Sequence, residues 1–119
     1  MVAPMKKAEI EPKLNEIMNL IPECEGLIAV DAKGKVVVGQ TLTDLDLAEI
    51  AKAIGEIVQG ASGLGETIKK GETLDVAISY GDGFAQVTVG AGGMIIGLMG
   101  NDGRNSLSLL MRNMKSVLG

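Results

Sequence analysis

The chain has 119 residues, 46% of them hydrophobic, which fits one domain spanning residues 1–119 with an ordinary apolar core. A net charge of −4 and the near-absence of stacking platforms (Tyr80, Phe84 and no Trp) argue against a nucleic-acid binder. With no His and a lone Cys24, the chain lacks the commonest general base, the Ser–His and Cys–His nucleophile pairs, an intrachain disulfide and a cysteine metal cluster.

The start, MVAPMKK, has no apolar stretch of the secretory kind, and no apolar run approaches the roughly 18 residues of a membrane span. The expected location is cytoplasmic, without membrane insertion. Ile10, Leu14, Ile17, Met18 and Ile21 recur at helical spacing and predict a helix from Ala8 to Leu20. Pro12 fits its first turn, and Pro22 stops it. Leu27 to Val30 reads as a strand buried on both faces, Asp31 to Gly34 as a turn, and Lys35 to Val38 as the returning strand.

The stretch from Thr43 to about Gly60 carries the strongest pattern. Leu47, Ile50, Ala51, Ile54, Ile57, Val58 and Ala61 form one helix stripe. Thr43 followed by Asp46 reads as an acidic capping box, with Thr41 and Asp44 as a competing start. This helix needs a flat apolar cover. Burying a large side chain stabilises by roughly 1.5–3 kcal/mol, while ordering each residue's backbone costs about 1–2 kcal/mol. A sheet on either side in sequence is the expected cover. Between Gly60 and Gly71 the glycines break the pattern, although Glu66, Lys69 and Lys70 are compatible with a further helical turn, and the conformation stays open.

Leu74 to Tyr80 alternates as a strand, Gly81 to Gly83 turns, Phe84 to Val89 returns, and Gly90 to Gly93 turns again. Met94 to Met99 is a second doubly buried strand. Asn101–Asp102, with Asp102 as cap, opens a last helix whose stripe is Leu107, Leu110, Met111, Met114, Val117 and Leu118. Five strands joined mostly by tight turns imply one antiparallel sheet. The doubly buried strands demand helices on both faces, the central one opposite the two terminal ones. The expected fold is a three-layer α/β/α sandwich.

Chemical motifs fail on inspection. Gly60 to Gly65 has the glycine spacing of a phosphate loop but is followed by Glu66–Thr67, not Lys–Ser/Thr. Counted from Asp44, an EF-hand would need Gly where Glu49 stands and Glu where Gly55 stands. Arg104 has the loop setting of either a phosphoryl-transfer finger or an ordinary solvated arginine. No catalytic residue, cofactor or metal is assigned. What remains is surface. Ala48, Ala51 and Gly55 make a small helix face that a second helix could approach closely. Leu74, Val76, Ile78 and Tyr80 make a strand with one strongly apolar face, a pairing liability at a sheet edge. A twofold homodimer satisfies both features.

The order of elements resembles the roadblock family of dynein light chains and GTPase regulators. The stretches that carry the resemblance are IPECEGLIAVDAKGKVVVG, LDLAEIAKAIGEIV, ISYGDGFAQVTVG and MIIGLMGNDGRNSLSLLMRNMKSVL, together spanning Ile10 to Leu118. The glycine-rich Gly60–Gly71 departs from the family pattern. The resemblance implies a profilin-like five-stranded sandwich and a dimer in which central helices pair and third strands join. It also implies a non-enzymatic adaptor for a Ras-like small GTPase; the alternative is a structural dimerisation subunit with no GTPase partner. Carried onto this sequence, the pairing elements are Leu47–Gly60 and Leu74–Tyr80.

Overall fold

The computed structural model describes residues 5–118; the outermost residues of the expected domain, 1–4 and 119, lie outside the described residues. In chain order come α1 (Lys7–Leu20), β1 (Cys24–Asp31), β2 (Val36–Thr41), α2 (Leu47–Thr67), β3 (Asp75–Tyr80), β4 (Gly83–Gly90), β5 (Gly93–Gly100) and α3 (Leu107–Leu118). The strands form one five-stranded sheet in the order β2-β1-β5-β4-β3, and every neighbouring pair is antiparallel.

Period-two alternation along the central strands divides the core into two layers. Leu27, Ala29, Ile95 and Phe84 point to one face, where Ile10, Leu14 and Ile17 of α1 and Leu110, Met114 and Val117 of α3 cover them. Ile28, Val30, Val87 and Ile96 point to the other, beneath Ala51 and Ile54 of α2. The α/β/α sandwich read from the sequence is the architecture observed, with the terminal helices on one side and the central helix on the other. Gln86 and Thr88 of β4 are buried in the sheet with side-chain polar atoms that have no protein partner.

Local chemistry sets the turns and caps. The β1–β2 turn is held by Asp31, whose Oδ1 accepts the backbone N–H groups of Lys33 and Lys35, each at 2.9 Å. Gly34 closes that turn at φ +84, a conformation only glycine adopts freely. Cys24 is buried, and its Sγ donates to the Gly26 carbonyl at 3.4 Å. Burial raises its pKa above the usual thiol value against the opposing backbone hydrogen bond, which suits a packed thiol.

Three local expectations change, and the open stretch after Gly60 takes a definite form. Pro12 lies in the second turn of α1, because the helix starts at Lys7, where the Lys6 carbonyl accepts from Glu9 and Ile10. Neither Thr43 nor Thr41 caps α2. The cap is Asp46, whose Oδ1 accepts the Glu49 N–H at 3.2 Å, and Thr41 instead donates its hydroxyl to the Thr43 carbonyl. Asp102 does not cap α3 either, since Asn101–Ser106 forms a 3₁₀ segment and the α-helix begins at Leu107. Gly103 within that segment is buried, and any side chain there would run into Met99 and Glu23. The open stretch after Gly60 is helical as far as Thr67. Gly65 is in close contact with Gly71, whose carbonyl oxygen lies 2.5 Å from where a Cβ would stand, and its own carbonyl accepts from Lys70 N–H at 2.8 Å.

Candidate functional site

Exposed apolar side chains gather on and beside β3 and on the outer side of α2. β3 is one end of the sheet and pairs with β4 alone. Its register is fixed: Asp75 faces Thr88, Val76 faces Val87, Ile78 faces Ala85 and Tyr80 faces Gly83. Val76 packs against the cluster under α2, so Ile78 and Tyr80 share the α2 face of the sheet by alternation. Val76 and Ile78 are half-buried, whereas Leu74 and Tyr80 are 69% and 58% exposed. Leu74 also lines an open cleft of about 450 Å³ with Thr88, Lys115 and Leu118. Of the four residues expected at a sheet edge, Val76, Ile78 and Tyr80 are on one, and Leu74 stands just before the strand, its carbonyl accepting the Val89 N–H.

The helix residues divide. Ala48 is exposed and Gly55 half-buried, and nothing lies within 4 Å of where a Gly55 side chain would begin. Ala51 does not share their surface. It is 3% exposed and packed with Ile28, Val30 and Ile96, so the small face assigned to it points into the protomer's own core. The reason is steric: a helix lies close on a sheet where its contacting side chain is smallest.

A surface that sequence reasoning missed lies on another flank of α2. Ala53, Ile57, Gly60 and Leu64 repeat at three- and four-residue spacing, and all are exposed, with Ile68 continuing the line past the helix end. Leu64 is 60% and Ile68 52% exposed, and Ile57, assigned to the buried stripe, is 37% exposed. The signal was available in the sequence only to a reader who carried the helix through the glycines.

On the opposite face of the sheet from α2, Arg104 is exposed but held by its neighbours. Its Nη1 donates to Ser79 Oγ at 3.4 Å, its Nη2 to Asn101 Oδ1 at 3.3 Å, and its guanidinium lies 5.4 Å from the centre of the Phe84 ring. Asn101 Nδ2 in turn donates to the Gly81 carbonyl at 3.0 Å. The positive charge is thus fixed at one end of the bare strand. Among the described residues, no three His, Cys, Asp or Glu side chains come together as a metal site, and no helix is long and apolar enough to cross a membrane.

Layers, strand order and bare edge together define the class of fold. No family model matches the chain, and no curated protein matches it in sequence. Solved structures do match in three dimensions. Myxococcus xanthus MglB is similar over 99% of this chain and 88% of its own, at 18% identity and TM-score 0.81. A Roadblock/LC7 domain from Streptomyces avermitilis is similar over 98% of this chain and 92% of its own, at 13% identity and TM-score 0.78. An MglB described with a tetrameric arrangement is similar over 98% of this chain and 96% of its own, at 11% identity and TM-score 0.72. The chain has the roadblock-family fold.

Proposed function

We propose that this chain is a non-enzymatic, cytoplasmic homodimeric adaptor that binds and regulates a Ras-like small GTPase. The observation that carries the reading is the bare apolar edge of β3 in a chain of roadblock fold. Leu74, Val76, Ile78 and Tyr80 supply the strand part of the self-contact. The exposed line through Ile57, Gly60 and Leu64 supplies the helix part, with Ala48 and Gly55 on the neighbouring flank. A solved MglB of the same fold is described as a tetramer, which supports self-association as a use of this architecture. The nucleotide chemistry belongs to the partner. The adaptor shifts the partner's cycle by binding one switch state more tightly than the other.

A pull-down from the source lysate, run with GDP and with a non-hydrolysable GTP analogue, tests the proposal. Enrichment of a small GTPase in one nucleotide state is the expected result. Recovery of a large non-GTPase protein regardless of nucleotide makes the chain a structural dimerisation subunit instead. Light scattering that finds a monomer at micromolar concentration removes the dimer.

A further inference from the structure

The free edge of β3 is self-complementary in charge as well as in hydrogen bonding. The Val89 N–H donates to the Leu74 carbonyl at 2.9 Å, so Leu74 and Val89 form a hydrogen-bonded pair. Pairs of that kind recur every second residue in an antiparallel ladder, which turns the backbone groups of Val76, Ile78 and Tyr80 toward β4. The N–H and C=O groups of Asp75, Ala77 and Ser79 therefore point out of the sheet edge. Their side chains share the face opposite α2, because Ser79 lies across from Phe84, which packs in the α1–α3 layer. On that face the strand begins with the exposed carboxylate of Asp75 and ends with Ser79, on whose hydroxyl Arg104 rests.

The geometry points to a second copy of this chain pairing along β3 in an antiparallel register centred on Ala77, with Asp75 of each copy meeting Arg104 of the other. This rests on the homodimer proposed above and adds its register and its charge lock. Centring on Ala77 is the one twofold alignment in which all three outward-facing residues are matched among themselves: Ala77 with its own copy, and Asp75 with Ser79 at both ends. Centring on Asp75 sets two carboxylates face to face, and centring on Ser79 does the same to two guanidinium groups. Like charges directly opposite are unfavourable, and register is pinned by such pairs. On the α2 face the same alignment lays Val76 against Ile78 of the other copy, covering two half-buried apolar side chains at once.

Cysteine cross-linking in a Cys24→Ala background reads the register directly. Hydrogen-bonded partners in an antiparallel pair stand about 5.5 Å apart at Cα, within the span of a disulfide. Ala77→Cys is expected to cross-link to itself under mild oxidation, and Val76→Cys and Ile78→Cys are not. Charge reversal gives an independent readout. Asp75→Arg and Arg104→Asp are each expected to weaken dimerisation about tenfold, since two symmetric surface pairs turn repulsive, and the double variant is expected to recover most of the loss. A dimer that cross-links through Val76 or Ile78, or that ignores the charge reversals, overturns the register while leaving the homodimer standing. A wild-type chain that sediments as a monomer overturns both.

Discussion

The two ends of the sheet are built from similar residues and treated oppositely. β2 has helices on both sides: α1 packs on one face, where Val38 is buried in the α1–α3 layer, and α2 approaches on the other, where Leu47 lies against Gly39. β3 is just as apolar, but it is paired with β4 alone; Val76 reaches the cluster under α2, whereas its last residue Tyr80 and the preceding Leu74 are largely exposed. An exposed apolar edge invites pairing with another chain, and proteins usually blunt it. Both end strands have one unpaired edge, but the faces of β2 are covered by helices and those of β3 are covered less. The comparison teaches that apolar burial in this chain is concentrated toward the β2 end, while the β3 end leaves apolar side chains exposed, the surface on which the proposed self-contact is built.

The sharpest way to break that comparison is to set a buried site against an exposed one on the same helix. Ala51→Glu places a carboxylate between α2 and the sheet, a cost comparable to the roughly 5 kcal/mol or more that holds a small domain folded. It is expected to abolish the cooperative thermal transition. Ile57→Glu, on the exposed flank, is expected to keep that transition and lose the proposed dimer in sedimentation. If Ile57→Glu unfolds the chain, its flank is core. If Ala51→Glu folds, α2 does not lie on the sheet as described.

Next in size is a proline at the edge. The Ala77 N–H points away from β4, so Ala77→Pro removes no internal hydrogen bond, and edge strands tolerate proline in that position. Circular dichroism should show a folded chain, and light scattering a monomer. Persistence of the dimer would place the seam elsewhere. A smaller and paired effect separates the two strands. Val38→Ala is expected to lower stability by about 1–2 kcal/mol at every protein concentration, as the loss of two buried methyl groups should. If the proposed dimer forms, Ile78→Ala should lower the melting temperature mainly at high protein concentration, because association stabilises by mass action. Equal, concentration-independent losses at both positions would erase the contrast between the edges.

Much of this architecture could be read from the sequence because its signals are local. The alternation of Leu74 to Tyr80, the Asp31–Gly34 turn and the stripes of α1 and α3 each follow from a few neighbouring residues. What escaped reading depended on tertiary contact. Gly60, Gly63 and Gly65 look like breakers, yet α2 runs through them. A glycine costs a helix at most about 1 kcal/mol relative to alanine, less than the apolar burial of the rest of the helix returns. Gly65 is further needed where the chain folds back at Gly71. Ala51 fitted both the buried stripe and the small face on spacing, and only the sheet decided between them. The pairing of Arg104 with Ser79 joins residues 25 positions apart, which no local pattern announces.

The smallest expected effect lies in the turn that ties β1 to β2. The backbone N–H of Lys35, then that of Lys33, holds the Asp31 carboxylate, and slight desolvation opposes them without winning, so its pKa lies below the ordinary 3.8. The ionised form is the one the folded turn favours. Its contribution is therefore fully present above the unfolded pKa and disappears as pH falls through the lower folded value. Asp31→Asn keeps an acceptor oxygen in place but removes the titration. Wild type should melt slightly higher than this variant between about pH 5 and pH 7, and the gap should close below about pH 4. The same gap should persist in the monomeric Ala77→Pro background, since the turn belongs to the β2 end. A gap that stays constant to the lowest accessible pH would mean that the charge of Asp31 does nothing for the turn and that its oxygen alone holds Lys33 and Lys35.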